Sequence, residues 1–481
     1  MDSVGAPRAA LSEHHQAPVR CDAVRPPWYE GAPALVIGLA RSGAAACRLL
    51  RRHGCKVRGS DSKTEPEFAS SLENLREAGV EVVLGEQDER LLEGVEFVVV
   101  SPGVPPGHAL IGAAEGRGLT VISELEAAFQ VAVAPIVAVT GTNGKSTCVE
   151  MLGEVFRRAG TETAVAGNVG TALSEAVETV PTSGVLVVEV SSFQLERIVD
   201  FRPNVAVLLN VTDDHLDRHG GMGGYLDAKL RIFANQRDHD TAVINADQPE
   251  LVRASERFPA GSRMGFSLVG PVEQGVFLRG RDVRYRWKGS EGVLFASDDL
   301  KVAGPHNTAN AMACAAAGLA MEAPVGSIKE GLLGFEGLEH RLETTAVLEG
   351  VTFVNDSKAT NPDSLRQALN AAPGPVVLVA GGRDKGTPFE ELAELVVKKA
   401  RCVILMGEAA GRMRTAWEDA RPILASTLDE AVELAWARAE RGDWVLLSPG
   451  CASFDMFADF EDRGRKFKGA VRALARRQGV N

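Results

Sequence analysis

No run in these 481 residues approaches the roughly eighteen consecutive apolar side chains that a membrane-crossing helix requires. The first thirty residues carry Pro7, Pro18, Pro26 and Pro27 among charges and lack the apolar centre of a secretory signal, so a cytoplasmic protein is expected. Cysteine is sparse. The seven, at positions 21, 47, 55, 148, 314, 402 and 451, form no C-x-x-C pair, which excludes the usual zinc ribbon or disulfide framework and suits a reducing compartment. Positive charge is in deficit: a formal net charge of -12 argues against non-specific nucleic-acid binding, although local basic loops can still hold phosphate.

What is present is apolar material for several cores. Hydrophobic residues make up 45% of the chain and charged residues 24%, as in ordinary globular proteins. At about 100 to 200 residues per domain, the length predicts roughly three domains. Strands alternate with helical stretches throughout, the pattern of parallel sheets flanked by helices. Residues 1 to 31 read as a flexible extension, followed by an α/β unit over 32–123, a second over 124–337 and a third over 338–481. The second unit also contains a stretch around Arg281 to Lys301 with the pattern of short antiparallel strands. An Ala-rich helix from Asn307 to Met321 is expected near its end.

The segment Thr140-Gly-Thr-Asn-Gly-Lys-Ser-Thr147 lies between the apolar strand Pro135 to Val139 and a stretch in which Val149, Leu152 and Phe156 recur at helical spacing until Gly160. That is the setting of a phosphate-binding loop. Gly141 and Gly144 let backbone N–H groups turn toward phosphates, Lys145 reaches the β/γ oxygens, and Ser146 can hold Mg²⁺. Val139 stands where the common motif has its first glycine, so the loop is a variant.

The first unit opens with Ala34-Leu-Val-Ile37, then Gly38-Leu-Ala-Arg-Ser-Gly43, a helix to about His53, and a strand leading to Asp61. Asp61 falls near the spacing at which a dinucleotide fold keeps its ribose-binding acid. Ala40 replaces the middle glycine of G-x-G-x-x-G, and its methyl hinders the approach of a pyrophosphate to the backbone. Arg41 and Ser42 offer side-chain contacts to a diphosphate instead; a purely structural tight turn is the other reading.

Glu189 ends an apolar strand in the same unit as the phosphate loop, where it can bind Mg²⁺ or cap the next turn. The run Asn210-Val-Thr-Asp-Asp-His-Leu-Asp-Arg-His219 concentrates His and Asp; its H-x-x-x-H spacing suits zinc, but without an obvious third ligand one histidine serving magnesium is the better reading. In Tyr225 to Phe233, the apolar stripe Leu226, Leu230 and Phe233 leaves Lys229 as a solvated lysine on periodicity alone. Three loops at strand ends carry polar groups suited to an anionic ligand: Asn355-Asp-Ser-Lys-Ala-Thr-Asn361, Gly381-Gly-Arg-Asp-Lys385 and Ser448 to Asp455.

Taken in order, these motifs, with Gly167-Asn-Val-Gly170, Glu189-Val-Ser-Ser-Phe-Gln-Leu195, Gly304-Pro-His-Asn-Thr-Ala-Asn310 and Glu339-His-Arg341, resemble the Mur ligase superfamily over nearly the whole chain after residue 31. The resemblance implies a Rossmann-like UDP-binding domain, a central P-loop ATPase-like domain with a mostly parallel sheet, and a Rossmann-like domain that binds the incoming amino acid. It implies an ATP-dependent acid–amino-acid ligase working through an acyl phosphate in cytoplasmic peptidoglycan precursor synthesis. The N-D-S-K-A-T-N and C-A-S-F-D loops favour D-glutamate as acceptor and UDP-MurNAc-L-Ala as the acid.

By the same resemblance, Gly141, Thr142, Asn143, Gly144, Lys145, Ser146 and Thr147 would hold ATP phosphates, Asn310 the adenine, Arg341 the γ-phosphate and Asp356 the ribose. One Mg²⁺ would sit on Ser146 and Glu189, and a second on His215 with Lys229, carbamylated by CO₂. Asn168 would touch the sugar-peptide or the acyl phosphate. Arg41, Ser42, Asp61 and Ser62 would meet the UDP end. Lys358, Thr360, Lys385 and Ser453 would surround D-glutamate and the phosphates, with Phe460 at the rim. Domain closure with hinges near 123 and 337, and a monomeric state, are expected. Folylpolyglutamate synthetase shares the ATPase core but lacks a counterpart to residues 34–123. A dehydrogenase would leave Lys145 unemployed, and a P-loop switch would release phosphate without either co-substrate.

Overall fold

The computed structural model describes residues 27–63, 69–85, 87–213, 219–302, 304–384 and 388–478. Its described strands form three sheets in series along the chain. The first contains β1 (Pro33–Ile37), β2 (Lys56–Asp61), β3 (Glu81–Leu84), β4 (Phe97–Val100) and β5 (Thr120–Ser123), in the order β3-β2-β1-β4-β5. Every pairing is parallel. Apolar runs such as Phe97-Val-Val-Val100 are buried along their whole length, as strands covered by helices on both faces must be. The order reverses between β1 and β4, so the loops after these strands diverge and open a crevice at their carboxyl ends. Within the stretch expected as an extension, Tyr29 is fully buried and its hydroxyl donates to the Ala127 carbonyl at 2.7 Å; residues 1–26 lie outside the described residues.

The central sheet contains β6 (Ile136–Thr140), β7 (Thr163–Gly167), β8 (Val185–Glu189), β9 (Val205–Leu208), β10 (Thr241–Asn245), β11 (Ser262–Ser267), β12 (Gly275–Arg279), β13 (Asp282–Trp287) and β14 (Ser290–Ala296). Its order is β14-β13-β12-β11-β10-β9-β6-β8-β7. The strands from β7 to β12 pair parallel, and β12 to β14 form the antiparallel meander expected around Arg281 to Lys301. The Ala-rich helix runs Pro305–Ala320. A further helix, Val325–Gly334, has no clear periodic signal because three of its residues are glycine. Packing holds it instead: a Cβ on Gly331 would lie 2.6 Å from Val155 Cα on the helix Lys145–Arg158, so the glycine permits close approach of the two backbones.

The third sheet contains β15 (Glu343–Leu348), β16 (Val351–Asn355), β17 (Val376–Gly381), β18 (Ala400–Met406), β19 (Ile423–Leu424) and β20 (Trp444–Leu447), ordered β15-β16-β20-β17-β18-β19. Only the β15–β16 pairing is antiparallel. The six described cysteines are free, and among the described residues no helix is long and apolar enough to cross a membrane.

The domains meet through specific contacts. From the helix Arg41–Arg52, Arg48 pairs with Glu175, and Arg52 with Glu178 at 2.6 Å. At the junction after residue 123, Glu126 is buried and its carboxylate accepts N–H bonds from Val199, Asp200 and Phe201. The neighbouring Glu124 accepts from Ser174 N–H at 2.7 Å, and burial raises its pKa.

Candidate active site

The phosphate loop is assembled by two neighbouring strands. Strand β6 ends at Thr140, and the loop beyond it is zipped to the segment after β9: Thr142 N–H donates to the Asn210 carbonyl at 2.9 Å, and Asn143 N–H to Asn210 Oδ1 at 2.9 Å. Asn210 Nδ2 returns a bond to the Asn143 carbonyl at 3.1 Å. Gly144 takes φ +89°, and a Cβ there would lie 2.4 Å from Asn310 Oδ1. Both the backbone and the close approach of Asn310 therefore demand glycine. Lys145 begins the helix Lys145–Arg158 and curls back over the loop, its Nζ 2.9 Å from the Gly141 carbonyl and 2.8 Å from that of Thr142.

Oxygen donors converge beside this loop. Ser146 Oγ donates to Glu189 Oε2 at 2.6 Å, and Asn168 Nδ2 donates to Glu189 Oε1 at 3.1 Å. Glu189 is buried at the end of β8. Lys229 corrects the periodicity reading: it is 1% exposed rather than solvated, its Nζ donates to the Gly141 carbonyl at 2.8 Å, and it lies 4.5 Å from the centre of the Tyr225 ring. In the helix Met222–Leu230, Tyr225, Ala228, Lys229 and Leu230 are buried while Met222 and Asp227 face water, so Lys229 lies on the packed flank beside the phosphate loop. His215 lies outside the described residues. The other histidine of that run, His219, faces Ser192 Oγ at 3.0 Å and Glu196 at 2.9 Å and stacks on Phe193.

The C-terminal domain completes the site. Lys358 Nζ donates to Ser146 Oγ at 2.8 Å, and Arg341 donates to Thr147 Oγ1 at 2.8 Å. Burial, with the nearby Arg341 and Lys145 charges adding and Glu189 opposing, pushes the Lys358 ammonium down to about 8. Between the domains is a cavity of about 180 Å³ lined by Leu209, Phe266 and Ala309 on its apolar side and by Asn310, Arg341 and Asp356 on its polar side. Asp356 accepts from Ser448 Oγ at 2.8 Å and from Leu342 N–H at 3.2 Å, yet burial raises its carboxyl to about 7. In the same cavity, burial and then the Arg341 charge lower the His306 imidazole to about 4, which keeps it neutral near pH 7.

Thr360 is half-buried and Ser453 buried. The Ser453 carbonyl accepts Phe457 N–H at 2.9 Å, and the Phe460 ring centre lies 5.5 Å from Lys358 Nζ. Lys385 lies outside the described residues. In the first domain Arg41 reaches the Asn168 carbonyl at 3.3 Å, joining the crevice to the central site. Asp61 bridges two loops, one oxygen accepting Leu39 N–H at 2.7 Å from the loop after β1 and the other Lys63 N–H at 3.0 Å from its own. Ser62 is exposed and Ser42 half-buried beside it in sequence and near the crevice loop respectively.

Sequence reasoning missed Arg463. It is 1% exposed and donates from Nε to Ser357 Oγ at 2.9 Å, from one terminal nitrogen to the Ser357 carbonyl at 2.8 Å, and from the other to the Cys451 carbonyl at 3.1 Å. It thereby sews together the loops that carry Lys358 and Ser453. The signal was available: Arg463 lies on the stripe of Phe467, Ala470, Val471 and Leu474, the buried face of the helix Phe460–Arg477, where a charge needs partners.

Comparison with known proteins accords with this arrangement. Family models match in order: Mur ligase MurD-like, N-terminal domain over residues 32–123, Mur ligase middle domain over 139–318, and Mur ligase, glutamate ligase domain over 340–451. The UDP-N-acetylmuramoylalanine--D-glutamate ligase of Pelotomaculum thermopropionicum is 45% identical, across 92% of this chain and 97% of its own. The protein of the same name from Caldanaerobacter subterraneus subsp. tengcongensis is 41% identical, across 92% and 98%. Among solved structures, the UDP-N-acetylmuramate-alanine ligase MurC of Thermotoga maritima shares the fold, with a TM-score of 0.59, 18% identity and coverage of 92% of this chain and 100% of that one. With curated relatives this similar along nearly their full lengths, the chain belongs to the Mur ligase family, among its UDP-N-acetylmuramoylalanine--D-glutamate ligases.

Proposed function

We propose that the protein joins D-glutamate to UDP-N-acetylmuramoyl-L-alanine at the expense of ATP, as a cytoplasmic step of peptidoglycan precursor synthesis. ATP transfers its γ-phosphoryl group to the L-alanyl carboxylate. The D-glutamate amine then attacks the acyl carbon, forms the C–N bond, expels phosphate and loses a proton. The observation that carries this reading is the junction of Lys358, Ser146 and Glu189, with contacts of 2.8 and 2.6 Å: an amino-acid-domain cation meets the phosphate loop and its carboxylate, so acid activation and amine attack share one place.

We assign the remaining roles on the family resemblance, with the described positions in support. Gly141, Thr142, Asn143, Gly144, Lys145 and Thr147 cradle the phosphates, and Arg341 joins them at the γ end. Asn310 and Asp356, both lining the cavity, hold adenine and ribose. Asn168 orients the sugar-peptide, while Arg41, Ser42 and Ser62 meet the UDP end and Asp61 shapes their loop. Thr360, Lys385, Ser453 and Phe460 surround D-glutamate with Lys358.

The hydroxyl of Ser146 and carboxylate of Glu189 are hard oxygen donors that suit Mg²⁺. We assign a second ion to His215 and Lys229 as its carbamate; the buried Nζ at the phosphate loop, 2.8 Å from the Gly141 carbonyl, supports that placement. Bound Mg²⁺ neutralises charge on the transferring phosphoryl group. The domains are taken as 32–123, 124–337 and 338–481, working as a monomer whose closure shields the acyl phosphate from water. The test is acceptor choice: phosphate release should require both UDP-MurNAc-L-Ala and D-glutamate, and turnover with L-alanine, diaminopimelate or lysine in its place would defeat the assignment.

A further inference from the structure

The helix Pro362–Ala371 opens under the phosphate loop, with Asn361 as its N-cap accepting Ser364 N–H at 2.8 Å. Its first turn sends two side chains across the domain boundary. Asn143 Nδ2 donates to Asp363 Oδ2 at 2.5 Å, and Ser364 Oγ donates to Asn143 Oδ1 at 2.9 Å. Both ends of one phosphate-loop amide are therefore held by the C-terminal domain. The same Asp363 oxygen accepts Thr212 Oγ1 at 3.3 Å, from the segment zipped to the loop, and Gln367 Nε2 at 2.9 Å from its own helix.

We propose that Asp363 and Ser364 form the catch that closes the C-terminal domain on the phosphate loop, with Asp363 a positioning residue for ligation. An acid in the first turn of a helix ordinarily serves the helix dipole. Here the carboxylate oxygen accepts two of its three hydrogen bonds from another domain. Because Asn143 is also fixed through its backbone to Asn210, engaging its amide couples closure to the shape of the loop that holds the nucleotide. Lys358, five residues before Asp363, is brought onto Ser146 by the same movement. A domain that closes without the catch would carry Lys358 and the acceptor amine out of register with the activated acid.

This inference rests on the ligase reading, and the two fail separately: wild-type turnover dependent on D-glutamate tests the reading, and the variants test the catch. Steady-state rates are compared for Asp363→Ala and Asp363→Asn, the latter retaining an acceptor oxygen. Asp363→Ala is expected to lower kcat about tenfold or more, with KM for the UDP-sugar within about twofold of wild type, and Asp363→Asn to recover most of the loss. Small-angle scattering of the nucleotide-bound protein should give a larger radius for the alanine variant than for wild type. The proposal is overturned if Asp363→Ala keeps kcat within about twofold, if Asp363→Asn is as slow as the alanine variant, or if the radius is unchanged. It is equally overturned if the alanine variant loses activity only in step with an earlier thermal unfolding, since the acid would then serve its helix alone.

Discussion

Replacing Arg463 by methionine is expected to loosen the amino-acid half of the site before it disturbs the ATP half. Methionine keeps an unbranched apolar stem of similar reach but no donors. The guanidinium bonds removed run to the Ser357 and Cys451 carbonyls and to Ser357 Oγ, all in a fully enclosed place. Each buried acceptor left without this donor costs about 1 to 3 kcal/mol. Against that, methionine relieves the burial of a charge, a burial strong enough to lower the Arg463 guanidinium to about 10, and such relief offsets part of the loss. The net destabilisation of the C-terminal domain is expected at about 2 to 4 kcal/mol. Urea unfolding followed by tryptophan emission reads it, because three of the five tryptophans, Trp417, Trp436 and Trp444, lie in this domain. KM for D-glutamate should rise while KM for ATP moves little, as the loops holding Lys358 and Ser453 separate. A variant within about 0.5 kcal/mol of wild type, with an unchanged KM for D-glutamate, would refute the view that Arg463 organises these loops.

Lys358 should give the ligation a basic limb. Its ammonium, lowered from 10.5 to about 8, loses its charge as pH rises through that value, so KM for D-glutamate should climb above about pH 8; a flat profile there would contradict its role as a cation. The accompanying stability effect has the opposite sense: between about 8 and 10.5 the unfolded chain holds this proton and the folded chain does not, so the group's contribution favours folding increasingly as pH rises across that window. Lys229→Ala should be inactive and regain part of its rate with added short carboxylates, measured as D-glutamate-dependent phosphate release. Full activity without them would remove the carbamate from the account.

How far the sequence discloses this site depends on how local each feature is. The phosphate loop reads directly, because strand, glycine turn and helix are contiguous and every residue type has a chemical reason. Glu189 reads as a strand-end acid with two possible duties, and only the contact from Ser146, 43 positions away, places it at the loop. Lys229 misleads, since periodicity marks the apolar stripe of its helix but cannot reveal that the flank beside it, with Tyr225 and Lys229, is buried against the phosphate loop at the Gly141 carbonyl. The helix Val325–Gly334 is hidden for a related reason: its glycines weaken the helical signal while enabling the close packing that stabilises it. Asp363 has the look of an ordinary helix-start acid, and its second use exists only once two domains are in contact. The cavity between the domains likewise depends on segments from Leu209 to Asp356 that no local pattern joins.

The central claim is that ATP activates the substrate acid as an acyl phosphate before the amine arrives. Oxygen-18 placed in the L-alanyl carboxylate of UDP-MurNAc-L-Ala tests it most directly, by mass analysis of the phosphate released during turnover with D-glutamate. The account predicts one labelled oxygen in that phosphate; phosphate free of label, alongside normal product formation, would contradict it.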